Sequence, residues 1–197
     1  MAQDLNFACR CGTLRGVLHD VAPGSGCNLE CYCADCRAFA RHLGVSDSLT
    51  PGGGSLLHQT IPASIEITAG ADRIACKRLR PKGLYRWYAS CCDTPLANTI
   101  GSSRLPLAGM WQPLIEDPAA LGKLHTQGFT KYALREPGAP KKDRGTLTML
   151  TGLIRRTLSA YLSGKARKSP FFDAKGAPVV APVVLTETER RAAYDGG

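Results

Sequence analysis

Apolar and polar residues alternate most cleanly in Ser64-Ile65-Glu66-Ile67-Thr68, a period of two that predicts a half-buried strand. Residues 73–80 and 84–90 carry two more strand patterns, separated by the turn Pro81-Lys82-Gly83, and residues 105–111 continue in the same style. The earlier residues 7–20 are extended around Cys9-Arg10-Cys11-Gly12 and give way to a Pro/Gly turn over 21–26. A short helix is expected to start at Asp35 or Cys36, with Asp35 as a candidate N-cap, and to stop at Gly44 in the C′ position. Residues 46–55 read as a loop, with Gly52-Gly53-Gly54 as a flexible hairpin tip. Only after residue 145 does the period change. Leu147, Leu150, Ile154, Leu158, Tyr161 and Leu162 fall at helical spacing, which predicts an amphipathic helix over about 146–163 capped by Gly164.

This punctuation predicts a mainly β fold. Two parts are expected: a β domain over residues 1–125 and a basic C-terminal α-helical extension over 126–197, joined through the Pro-containing stretch 137–144. No internal repeat interrupts the pattern.

Composition adds two constraints. At 44% hydrophobic and 21% charged residues, the chain is globular in type, and it contains no run of about 18 apolar residues, so no membrane span is expected. The first seven residues lack the basic and apolar regions of a secretory signal, and a cytoplasmic location is therefore expected. The net charge is +9, of which +8 falls between Lys131 and Lys168, where ten basic residues face two acidic ones. Such a segment reads as a solvated basic face, with contact to nucleic acid, anionic lipid or acidic protein as the other options.

The candidate chemistry lies in the nine cysteines. In a reducing compartment disulfides rarely persist, and an odd count with C-x-C spacings argues for metal binding. Cys31-Tyr32-Cys33-Ala34-Asp35-Cys36 places three thiols within six residues. Three thiolates on one face of a zinc ion, with the fourth position open, form the arrangement of a catalytic site, whereas four ligands mark a structural one. Cys9 and Cys11, two apart on an extended chain, project to the same face, and Gly12 permits the sharp turn after such a metal knuckle. Cys76, on an apolar strand, reads as a core thiol.

Taken together, Cys9-x-Cys11-Gly12, Cys31-x-Cys33-x-x-Cys36 and the strand Arg86-Trp87-Tyr88 leading to Cys92-x-Thr94-Pro95-Leu96 resemble the glutathione-dependent formaldehyde-activating enzyme and CENP-V-like family over residues 7–110. The pattern is that of an uncharacterised branch. The resemblance implies a zinc-pinned β-tent of small antiparallel sheets around two zinc sites. Cys9 and Cys11 would join the late cysteine pair in a structural site, and Cys31, Cys33 and Cys36 would form the open one. The family's late pair is usually C-x-x-C-G-T. Here Ala89 replaces the first cysteine and Asp93 the glycine, so that only Cys92 is in register. Adjacent strand residues face opposite ways, so Cys91 can join Cys92 only if the chain turns between them. Three outcomes are open: a four-sulfur site of Cys9, Cys11, Cys91 and Cys92, which is the favoured one, a three-sulfur site with another ligand, or exchange of a ligand with Cys27.

The implied activity is that of a carbon–sulfur lyase or synthase acting on glutathione or another small thiol adduct. Zinc in the open site would bind and activate the thiol. Arg37 and Arg41, which follow the zinc loop, are candidates to hold the carboxylates of glutathione. No catalytic proton carrier is assigned; His42 is the histidine nearest the site in sequence. The rival expectation is a non-catalytic zinc module that binds nucleic acid or protein through its basic segment, as a monomer or a homo-oligomer.

Overall fold

The structure, a computed structural model, describes residues 2–195. Met1, Gly196 and Gly197, the outer ends of the two expected parts, lie outside the described residues. The chain runs β1 (Gln3–Ala8), β2 (Arg15–Val21), β3 (Cys27–Cys31), α1 (Ala34–His42), β4 (Ser55–Thr60), β5 (Ile65–Ala69), β6 (Ile74–Arg78), β7 (Tyr85–Ala89), β8 (Thr94–Thr99), β9 (Ala108–Trp111), β10 (Thr126–Gly128), α2 (Thr146–Leu162), β11 (Val183–Val184) and α3 (Glu187–Asp195). The fold is mainly β. A three-stranded sheet has the order β1-β2-β5, and an eight-stranded sheet the order β10-β3-β4-β9-β8-β7-β6-β11. All pairings are antiparallel except the two at the edges of the large sheet, β10 with β3 and β11 with β6. Among the described residues no helix is long and apolar enough to cross a membrane.

Alternation sets the faces. In β1, Leu5 and Phe7 point into the core between exposed neighbours. Strand β7 is buried on both sides because Trp87, fully buried, stacks on Phe171 with ring centroids 5.0 Å apart and donates its indole N–H to Thr99 Oγ1 at 2.9 Å. Residues beyond 125 thus supply both edges of the large sheet and part of its core, with Phe171, Phe172 and Leu185 buried.

The first helix follows from its caps. Cys33 sits at the N-cap with its sulfur accepting from the Cys36 amide at 3.3 Å, so the cap is a cysteine and not Asp35. The helix ends in a Schellman motif: Val45 N–H reaches Ala40 C=O at 2.9 Å, Gly44 N–H reaches Arg41 C=O at 3.0 Å, and Gly44 takes φ +65°. The glycine run is no flexible tip. Gly52, Gly53 and Gly54 are buried, and a Cβ at Gly54 would lie 2.9 Å from the Glu30 side chain.

Helix α2 forms as its period predicts and leaves its apolar stripe exposed. Its buried positions are Arg156 and Ala160, whereas Leu147, Leu150, Ile154, Leu158 and Tyr161 are 46–74% exposed. At 100° per residue these five cover an arc of about 80° on the solvent side. Arg156 donates to Gln59 on β4, and Arg155 donates to the Gly24 carbonyl, so polar anchors dock the helix.

Candidate metal centres

Two groups of cysteines come together, Cys9 with Cys11, Cys91 and Cys92, and Cys31 with Cys33 and Cys36, each with its sulfurs within 4.8 Å of one another. The first group bridges the β1–β2 loop and the β7–β8 turn. Cys9 Sγ lies 3.5 Å from Cys11 Sγ and 3.7 Å from Cys91 Sγ; Cys11–Cys91 is 3.4 Å and Cys91–Cys92 3.8 Å. A tetrahedral ion with metal–sulfur bonds of about 2.3 Å requires sulfurs about 3.8 Å apart, so the spacing fits a four-sulfur centre. Strand β7 ends at Ala89, and Cys91 and Cys92 fall in the turn that follows, which removes the opposite-face constraint of a strand. Asp93 takes φ +52°, a left-handed conformation that glycine adopts freely and that Asp tolerates better than most residues.

Backbone and side-chain hydrogen bonds fix this centre. Leu14 N–H donates to Cys9 Sγ at 3.3 Å, Arg10 N–H to Thr94 Oγ1 at 3.1 Å, and Arg10 Nη2 to the Cys92 carbonyl at 2.8 Å. The Thr13 hydroxyl, 3.2 Å from Cys11 Sγ, and the Thr13 backbone amide lower the Cys11 thiol to about 6. Thiolates are the metal-binding form.

The second group is built by the end of β3 and the first turn of α1. Cys31 and Cys36 are buried and Cys33 is half-buried. Hydrogen bonds from Cys31 and Cys33 hold the Cys36 thiol well below its ordinary range against the cost of burial, and Arg86 adds to the effect. The same hydrogen bonds, with burial, push Cys31 upward, so the protons collect on one partner and the charge on the other. Arg86, on β7, is 2% exposed; its Nη1 lies 3.9 Å from Cys36 Sγ and 3.3 Å from Asn98 Oδ1. Among the described residues no carboxylate pairs with it. Three thiolates around a divalent ion leave one net negative charge, and Arg86 is the buried cation that matches it. No fourth Cys, His, Asp or Glu joins the three sulfurs among the described residues.

All three cysteines line a cavity of about 520 Å³. Its two cations are Arg80 and Arg86. Arg80 Nη2 donates to Asp35 Oδ1 at 2.6 Å, where Tyr194 Oη donates as well, also at 2.6 Å. Asp35 is thereby occupied by two donors.

The expected carboxylate anchors are absent from this cavity. Arg37 donates to the Tyr132 carbonyl at 3.0 Å and Arg41 to the Tyr194 carbonyl at 3.1 Å, and neither lines it. They brace the segment after β10 and the end of α3 itself. Cys27 belongs to neither cluster; it is buried on β3 beside the Thr126 hydroxyl at 3.6 Å. Cys76 is a buried thiol raised to about 12 by burial. His42 Nε2 contacts Lys77 Nζ at 2.6 Å, outside the cavity, and burial followed by Lys77 lowers its pKa. Sequence reasoning missed Arg86 and Arg80; a lone cation amid the aromatic residues of Tyr85-Arg86-Trp87-Tyr88 was the available signal for the first.

A family described as a family of unknown function (DUF6151) matches residues 1–183. No curated protein matches the chain. A crystal structure of a Rhodobacter sphaeroides protein is similar over 60% of this chain and 96% of that chain, with 15% identity and a TM-score of 0.41.

Proposed function

This chain belongs to the DUF6151 family, and we propose that it is a two-zinc protein whose second centre binds a small thiol and promotes carbon–sulfur bond formation or cleavage. The cysteine order that resembles the formaldehyde-activating and CENP-V-like proteins supports the same class of chemistry. The observation that carries this reading is the exposure of Cys31, Cys33 and Cys36 to one cavity with no fourth protein ligand beside them. Cys9, Cys11, Cys91 and Cys92 would hold the structural ion and clamp the β1–β2 loop to the β7–β8 turn. An ion held by Cys31, Cys33 and Cys36 would supply a binding position for a substrate sulfur and lower the pKa of its thiol.

The protein's own residues do the rest. Arg86 compensates the charge of the three thiolates and is held by Asn98, which also lines the cavity. The Cys33 cap holds the start of α1 in place, which sets the spacing of Cys33 and Cys36. The reaction class is the addition of R–SH to an aldehyde: sulfur forms the new bond to carbon, the carbonyl π pair moves to oxygen, and the thiol proton ends on that oxygen. The reverse reaction cleaves the same bond. Zinc-loaded full chain incubated with a thiol and formaldehyde should accelerate formation of the S-hydroxymethyl adduct, followed by NMR, and Cys33→Ser should abolish the acceleration while Arg155→Ala retains it. An unaccelerated reaction with every thiol and aldehyde tried, in protein carrying two ions, would overturn the reading.

A further inference from the structure

We infer that the thiol taken by the second centre has an apolar body, aliphatic or aromatic, and is not a multiply charged peptide of the glutathione type; this rests on the thiol-binding reading above. Glutathione brings two carboxylates, and a buried site must match each with a cation or a set of donors. The cavity lining contains two cations, and each already faces a partner. Arg86 faces Cys36 and Asn98, and Arg80 holds the Asp35 carboxylate. Arg37 and Arg41 are turned away onto backbone carbonyls. The neutral polar groups are also committed in part: Thr99 Oγ1 accepts from Trp87, and Gln59 Oε1 accepts from Arg156. Asn98 accepts from Arg86 with Oδ1, which leaves its amide N–H groups for a neutral oxygen such as the hydroxyl of a thiol–aldehyde adduct.

The walls point the same way. Leu29 and Leu57, paired on adjacent strands, line the cavity, as do Ile100 and Leu107. At the mouth, Leu84, Phe129 and Tyr132 are 41%, 54% and 46% exposed, a set of large apolar groups that a ligand would cover. Phe129 is held there at a backbone cost. It takes φ +60°, an outlier for a bulky side chain. The conformation is maintained by Asp143, which accepts from the amides of Phe129 and Thr130 at 3.2 and 2.8 Å and from the Thr130 hydroxyl at 2.6 Å. Asp143 thus holds Phe129, at a backbone cost, among the groups that line the cavity. A cavity of about 520 Å³ is also of the size that takes a medium-sized apolar ligand.

The test uses full-length protein loaded with cobalt(II), whose absorption reports a new sulfur ligand. Benzyl mercaptan, hexanethiol, cysteine and glutathione are titrated in turn. The expected result is half-saturation by the two apolar thiols at concentrations about tenfold or more below that for glutathione, with a loss of about tenfold for the apolar thiols alone in Phe129→Ser. Leu84→Ser, at another exposed rim position, should act in the same direction. Equal or tighter binding of glutathione would overturn the apolar specificity while leaving the thiol reading intact. No spectral response to any of the four thiols would overturn both.

Discussion

Arg86 and Cys36 form a buried cation–sulfur pair across the second cysteine cluster, with Nη1 and Sγ 3.9 Å apart. If Arg86 balances the surplus charge of three metal-bound thiolates, its loss must weaken metal binding there and nowhere else. Arg86→Met, which keeps much of the side-chain length, should lower the affinity of the second centre by about 10–100-fold, as loss of a supporting group around ligands does. The first centre, at the turn that follows the other end of β7, should be unchanged. Competition with a chromogenic chelator, counting ions released in each phase, separates the two.

The first centre gives a sharper contrast among cysteines. Cys91→Ser removes a sulfur that lies 3.4 and 3.7 Å from its neighbours and should cost the protein one of its two ions together with several kcal/mol of stability. Cys27→Ala should leave both ions bound, because Cys27 contacts Thr126 instead of either cluster. Metal content by mass spectrometry and denaturant unfolding of the two variants check both outcomes.

A buried histidine predicts the pH dependence. Asn28 Nδ2 donates to the carbonyls of Leu121, Gly122 and Lys123, so its Oδ1 accepts from His58 Nδ1–H at 2.7 Å, which fixes a neutral tautomer. Burial, reinforced by Arg156, lowers the His58 pKa to about 4. The unfolded chain binds this proton near pH 6.5 and the folded chain only near 4, so stability is full above the unfolded value and falls as pH drops through that window. The contribution is on the order of 3 kcal/mol. In His58→Gln, the loss of stability between pH 7 and 4.5 should be smaller by about that amount; an identical pH profile in the two proteins would remove His58 as the cause.

Helix α2 yields a test of its orientation. Ile154→Ser and Leu158→Ser, at positions 59% exposed, should each change stability by no more than about 0.5 kcal/mol. Ala160→Leu, at a buried position, should destabilise by about 1–3 kcal/mol through overpacking. The reverse ranking in urea unfolding would mean that the apolar stripe faces the protein.

These cases also show what was legible in the sequence. The C-x-C-x-x-C spacing and the Cys9–Cys11 knuckle encode local geometry, and residues two or three apart stay neighbours whatever the tertiary fold. The stop at Gly44 was readable for the same reason. Cys91 was ambiguous because its direction depends on where β7 ends, and a strand boundary is set by pairing and not by the side chain itself. Arg37 and Arg41 were assigned to the ligand on sequence proximity, yet they face Tyr132 after β10 and Tyr194 in α3, whereas Arg86 arrives from β7 and Arg80 from the β6–β7 connection, some fifty residues away. Strand β10, Thr126–Gly128, is only three residues long and carries no apolar alternation; its pairing with β3 is what brings Phe129 and Tyr132 to the cavity. For α2 the amphipathic period was legible and the face it buries was not, because docking runs through Arg155 and Arg156 and leaves the apolar stripe exposed.

The central claim is a second centre of three sulfurs with an open position. Anomalous scattering at the zinc edge from crystals of the metal-loaded protein tests it most directly. The account predicts two peaks: one within bonding distance of Cys9, Cys11, Cys91 and Cys92, and one bound by Cys31, Cys33 and Cys36 alone, with its fourth position facing the cavity. A single peak, or a fourth protein ligand on the second ion, would contradict it.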